Sequence, residues 1–169
     1  MNNLPRNIFL IGFMASGKTA MARKLAKIIE YQFVDTDFAF ADKMKINVAD
    51  FINIYGEEEF RKHESLVLQE IVKANNQVVA TGGGTPCFFN NMQLINENGV
   101  SIYLKIPTNI LTKRIINSKT QRPLVQGISP EDLPSFIDNM ISQREKFYSQ
   151  SHHFIEAKTL IPEDILKMF

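Results

Sequence analysis

Gly12-Phe13-Met14-Ala15-Ser16-Gly17-Lys18-Thr19 reads G-x-x-x-x-G-K-T, the pattern of a loop that surrounds a polyphosphate. Glycines free the backbone so that N–H groups converge on an anion, the lysine reaches the terminal phosphates, and the hydroxyl is left for a metal ion. The flanks agree. The apolar run Ile8-Phe9-Leu10-Ile11 reads as a buried strand, and Met21, Leu25, Ile28 and Ile29 follow at helical spacing. Strand, loop, helix is the order that sets the positive end of a helix behind bound phosphates. The plain alternative is an ordinary Gly-rich turn. A chance match in a chain of this size is expected in fewer than about one sequence in a hundred.

Outward from this loop, strand-like runs alternate with helical patterns. Gln32-Phe33-Val34-Asp35, Gln77-Val78-Val79-Ala80-Thr81, Val100-Ser101-Ile102-Tyr103-Leu104-Lys105 and Phe154-Ile155 read as further strands. Residues 38–75 read as two or three helices broken near Gly56. Residues 90–98 read as a helix stopped by Gly99 in the usual C-terminal position, 108–116 as another, and 131–148 as a third. Pro162 opens a terminal helix. The polar stretch 117–129, with Pro123 and Gly127, is a loop by composition. Alternation of this kind predicts an α/β fold, a parallel sheet covered on both faces. Ligands of such sheets sit beyond the carboxyl ends of the strands.

The chain has 169 residues, which sets the expectation of a single domain spanning 1–169 with a full hydrophobic core. A net charge of +1 gives no global field for nucleic acid or membrane, so an anion must be caught by local groups. One cysteine, Cys87, rules out an internal disulfide and fits a reducing compartment. No run approaches the length of a bilayer span, and Met1-Asn2-Asn3-Leu4-Pro5-Arg6 lacks the apolar core of a leader. A cytoplasmic protein with no membrane or nucleic-acid partner is expected.

The strand ends hold the candidate chemistry. Strand two ends in Asp35-Thr36-Asp37, where alternate carboxylates share one rim: one for Mg²⁺ through water, the other to orient or deprotonate a hydroxyl. A solvated Asx turn is the plain alternative. Strand three ends in Gly82-Gly83-Gly84, a backbone that a ligand can approach closely. Lys outnumbers Arg by 13 to 6, so each arginine asks for a reason, its planar fork being the feature that lysine lacks. Arg61, on the azimuth of Leu68 and beside Glu64, points inward and can clamp a carboxylate; a surface pair with Glu64 is its plain reading. Arg122 lies in the polar loop and can meet charge on a transferred phosphoryl group, or be a solvated cation. Arg144, late in a helix, already suits the dipole there. Three histidines show no metal-ligand spacing, and Cys87 reads as a packing residue.

In this order the motifs resemble shikimate kinase, from the first strand to about Tyr148. The likeness rests on the loop from Gly12 to Thr19, Asp35-Thr36-Asp37, Gly56-Glu57-Glu58-Glu59-Phe60-Arg61-Lys62-His63-Glu64, the Gly triplet, Gln121-Arg122-Pro123-Leu124, and Arg144 four residues before Tyr148. It implies a three-layer α/β/α P-loop kinase fold with a five-stranded parallel sheet, substrate-binding helices at about 37–65 and a mobile lid at about 117–129. It implies ATP-dependent phosphorylation of the 3-hydroxyl of shikimate, with ATP and Mg²⁺ as cofactors, in an enzyme of aromatic amino acid biosynthesis; nothing in the sequence suggests an obligate interface, so a monomer is expected. By the same resemblance Gly12, Ala15, Ser16, Gly17, Lys18, Thr19 and Ala20 hold ATP, with Arg114 beside the base. Thr19 binds Mg²⁺ directly and Asp35 through water. Asp37 binds the shikimate hydroxyls and is the base; Arg61 and Arg144 grip the carboxylate with Glu64 in support; Gly82, Gly83 and Gly84 contact substrate; Arg122 is the lid arginine and, with Asp37 and Lys18, catalytic. Ala15 stands where the resemblance implies glycine, and a methyl group is comfortable there only at negative φ. A kinase of another hydroxy acid, such as gluconate, and a catalytically silent nucleotide-binding relative are the competing readings.

Overall fold

The computed structural model describes residues 4–118, 123–156 and 161–169. Its elements run β1 (Asn7–Ile11), α1 (Lys18–Ile29), β2 (Gln32–Asp35), α2 (Thr36–Met44), α3 (Val48–Tyr55), α4 (Glu57–Ile71), β3 (Gln77–Ala80), α5 (Asn91–Asn98), β4 (Val100–Lys105), α6 (Thr108–Ile116), α7 (Leu133–Tyr148), β5 (His153–Glu156) and α8 (Pro162–Leu166). Every strand pairing is parallel, in the order β2-β3-β1-β4-β5.

Alternation within β1 sets the layers, because successive strand side chains point to opposite faces. Ile8 and Leu10 pack with Met21, Ala22 and Leu25 of α1 on one face. Phe9 and Ile11 pack with Leu68 of α4, Met92 and Ile95 of α5 and Tyr148 of α7 on the other. The central strands β3, β1 and β4 are apolar and buried along most of their length, while the edge strands β2 and β5 are partly exposed. That is how a sheet covered on both faces must read in sequence. A third apolar cluster joins Phe13 to α6 and α7, and a fourth holds α2, α3 and α4 together through Phe40, Phe51 and Phe60. Phe40 meets the other two rings edge-on, at 5.1 and 5.0 Å.

Topology and register locate the site. The chain leaves β1 toward β2 on one side, and leaves β3 toward β4 on the other. The crevice between β1 and β3 is thus a switch point of the sheet, where such folds bind ligands. Leu10 and Asp35 both pair with Ala80, so β1, β2 and β3 end level. Three loops then open on one rim. One sequence expectation needs correcting: Gly99 stops α5 in extended backbone, φ 171°, and not in a left-handed cap. Its glycine is required by space, since a Cβ would collide with the Asn7 carbonyl.

Candidate active site

The phosphate half is built from one loop. Gly17 caps α1 at φ 97°, a left-handed conformation that glycine adopts without strain. Lys18 is nearly buried. Its Nζ donates to the Gly12 and Phe13 carbonyls, both at 2.8 Å, and lies 3.4 Å from Ser16 Oγ. The lysine thus folds across the loop that it must serve. Thr19 Oγ1 donates to Asp35 Oδ2 at 2.7 Å, so the hydroxyl of the loop and the first acid of strand two stand together. The other oxygen of Asp35 accepts the Asp37 N–H at 3.0 Å and caps α2. The turn-forming reading of Asp35 is thus realised in the structure, with its second oxygen on the Thr19 hydroxyl. Two hard oxygen donors of this kind fit Mg²⁺.

Ala15 departs from expectation. Its φ is +60°, so the methyl group sits in the left-handed region, which costs an L-residue about 1 kcal/mol or more. Arg114 secures this turn by donating to the carbonyls of Ala15 at 3.1 Å and Ser16 at 3.3 Å. Arg114 therefore lies against the loop, with its guanidinium on two of its carbonyls. Ala20 lines the same cleft, which encloses about 380 Å³ and reaches from the loop to Asp37, Gly82 and Gly83.

The acid half is assembled around the glycine strip that follows β3. Each missing side chain leaves room for a different partner. A Cβ on Gly82 would stand 2.7 Å from Thr85 Oγ1, 2.9 Å from Asp37 Oδ1 and 3.1 Å from Glu64 Oε1. On Gly83 it would meet Arg144 Nη1 and the Met14 N atom, both at 3.4 Å, and on Gly84 the Arg61 guanidinium at 2.6 Å. The strip is glycine because it is crowded: none of the three has positive φ. Thr36 holds it in place by accepting the Gly82 N–H at 2.7 Å, and Tyr148 by donating to the Gly83 carbonyl at 2.6 Å.

Arg61 points inward along α4, its side chain 12% exposed, and donates through Nη1 to Glu64 Oε2 at 2.8 Å. Nη2 reaches the exposed Glu57 at 3.1 Å, and the guanidinium lies over Phe88 and Phe60. Its Nε is buried with no hydrogen-bond partner. Arg144 is nearly buried, over the Phe13 ring. Asp37 opens onto the cleft, yet the crowded walls push its carboxyl up to about 6, aided by the negative charges of Asp35 and Glu64 and opposed by Lys18 and Arg61. Burial pushes the Cys87 thiol up to about 11, which leaves it neutral and in keeping with a packing role.

The structure therefore brings Asp35, Asp37, Arg61, Glu64, the Gly triplet and Arg144 together beside the loop residues. Arg122 lies outside the described residues. Sequence reasoning missed Thr36, Thr85 and the contact made by Tyr148. A lone hydroxyl has no pattern of its own, and only the adjacency of Thr36 and Thr85 to the motifs marks them.

A phosphate loop and an acidic rim, facing two arginines across a glycine strip at the switch point of a parallel sheet, define a P-loop phosphotransferase for a small anionic acceptor. The family model for shikimate kinase matches residues 14–169. The chain belongs to the shikimate kinase family. It is 44% identical over 163 residues to a shikimate kinase of Azobacteroides pseudotrichonymphae genomovar. CFP2, covering 96% of each chain. Among solved structures it resembles shikimate kinase from Bacteroides thetaiotaomicron, with TM-score 0.90, 31% identity, and 97% and 96% of the two chains covered. It also resembles the Acinetobacter baumannii enzyme in complex with shikimate, with TM-score 0.87, 29% identity, and 98% and 90% covered.

Proposed function

We propose that the loop half of the cleft presents the terminal phosphate of ATP while the acid half holds shikimate by its carboxylate. The chain is an ATP-dependent kinase that transfers the γ-phosphate to shikimate, giving shikimate 3-phosphate and ADP on the route to the aromatic amino acids. Phosphoryl transfer asks a protein mainly for positioning and charge compensation. In this reading the amides from Gly12 to Thr19 and the Lys18 ammonium hold the phosphates, with Ala20 and Arg114 at the nucleotide end. Thr19 would hold Mg²⁺ directly and Asp35 through water, and the bound ion would supply compensation for the phosphate charge. Asp37 orients the acceptor hydroxyl and takes its proton. Arg61 and Arg144 grip the carboxylate, Glu64 supports Arg61, and Gly82, Gly83 and Gly84 let substrate lie against backbone. Arg122, which lies outside the described residues, is assigned on sequence alone as the arginine of a lid at about 117–129 over the bound nucleotide, and the helices at about 37–65 bind substrate.

The observation that carries this division is the glycine strip, around which Asp37, Arg144 and Arg61 gather within reach of the loop. A single-domain, monomeric, cytoplasmic enzyme without a nucleic-acid partner completes the reading, supported by the net charge of +1 and the lone cysteine; no described helix is long and apolar enough to cross a membrane. Coupled ADP release over a panel of hydroxy acids tests the whole. Turnover should require shikimate; turnover with gluconate and none with shikimate would overturn it.

A further inference from the structure

Behind Arg61 runs a buried chain of hydrogen bonds that the reaction itself does not call for. Ser65 Oγ donates to Asn91 Oδ1 at 2.7 Å, and Asn91 Nδ2 donates to the Thr85 carbonyl at 2.9 Å. Thr85 Oγ1 donates to Glu64 Oε1 at 2.6 Å, and Glu64 Oε2 accepts from Arg61. Thr85 is fully buried, and Asn91 and Glu64 nearly so. The threonine is fixed from behind, through its backbone, by a residue at the start of α5.

We propose that Thr85 is a positioning residue for the carboxylate clamp: by occupying one oxygen of Glu64 it keeps the Glu64–Arg61 pair single-pronged. An arginine and a carboxylate otherwise favour the two-pronged fork. Glu64 lies three residues from Arg61 on α4, close enough to take that fork. Were both its oxygens free, they would compete for the N–H groups that a substrate carboxylate needs. With Oε1 held by Thr85, Glu64 claims one N–H only. The exposed Glu57 claims another from the solvent side, where it is readily displaced. The same hydroxyl ties Glu64 Oε1 to the turn that follows the Gly triplet, although Asp37 Oδ1 borders the same small space beside Gly82. This proposal rests on the reading of Arg61 as carboxylate clamp.

The test compares Thr85→Val with Thr85→Ser and Arg61→Ala by steady-state kinetics. Valine keeps the shape and deletes the donor; the KM for shikimate should rise about tenfold, with kcat and the KM for ATP within about twofold of the parent. Serine restores the donor and should return the KM to near the parent value. A loss of only packing would move both variants alike, so an equal rise in Thr85→Ser overturns the proposal. A shikimate KM unchanged in Thr85→Val but raised in Arg61→Ala overturns it while leaving the clamp in place. A KM unchanged in Arg61→Ala removes the clamp and the proposal together. If Thr85→Val does not fold, Thr85→Ala carries the same comparison.

Discussion

The phosphate half of the cleft is one unbroken octapeptide, Gly12 to Thr19, whereas the acid half draws Asp37, Arg61, Glu64, three glycines and Arg144 from four separate segments. The first is a backbone device. In the proposed reading it meets its ligand through N–H groups, one lysine and one hydroxyl. The second is a side-chain device, and it works only because the strip at its centre has no side chains. Three carboxylates and two guanidinium groups are packed around Gly82, Gly83, Gly84 and the end of β2. The lesson is that an anion such as phosphate can be met by local chain geometry, while a small acid with hydroxyls must be met by convergence.

The comparison breaks most sharply at Asp37. Asp37→Asn should lower kcat by about 10²- to 10⁴-fold, the usual worth of a positioned base, and leave ATP affinity within about twofold. Steady-state rates with a calorimetric titration of nucleotide check this; a comparable loss of ATP affinity would show that the halves are not separate. Gly82→Ala comes next. Its Cβ would stand 2.7 Å from Thr85 Oγ1 and 2.9 Å from Asp37 Oδ1, so kcat/KM for shikimate should fall by about 10²-fold. The KM for ATP should stay near the parent value. A variant with full activity would mean that the strip need not be bare.

A smaller effect sharpens the same contrast through stability. The Asp37 carboxyl is raised to about 6 from an ordinary value of 3.8, so folding disfavours its charged form. The parent therefore loses stability as pH rises from about 4 through about 6. Asp37→Asn escapes this and should be more stable at pH 8, by about 1 kcal/mol once screening by the water in the cleft is allowed for. The gap should close as pH falls through 6 toward 4. Thermal melts across that range decide, and a gap independent of pH would contradict the electrostatic cause. The smallest effect is expected in the phosphate half. Ala15→Gly removes the strain of φ +60°, and the looser unfolded chain offsets part of the gain. A rise in Tm of about 2 °C is expected, and a fall would show that the methyl contacts outweigh the strain.

How much of this could be read in advance follows the same division. The loop, its strand and its helix were legible because pattern, period and motif coincide within 25 residues or so. The acid half was legible only in pieces. Arg61 betrayed itself by the azimuth of Leu68, and the Gly triplet by its cost. That these pieces meet depended on strand order and register, which no local pattern encodes. Glycines were visible as such, but not always for the right reason: Gly99 is dictated by the Asn7 carbonyl and not by a left-handed cap. Ala15 shows the converse, a residue whose motif position called for glycine and whose φ agrees with the motif. The hydroxyls of Thr36 and Thr85 were marked only by their place next to the motifs, since one polar atom against a backbone N–H or a carboxylate makes no periodic signal.

The central claim is that the acid half binds one ligand and the loop half the other, with Arg61 belonging to the first alone. Calorimetric titration of Arg61→Ala with each ligand tests it most directly. Loss of a two-pronged arginine–carboxylate contact should weaken shikimate binding by about 100-fold and leave ATP binding within about twofold. Equal weakening of both ligands, or shikimate affinity unchanged, would contradict it.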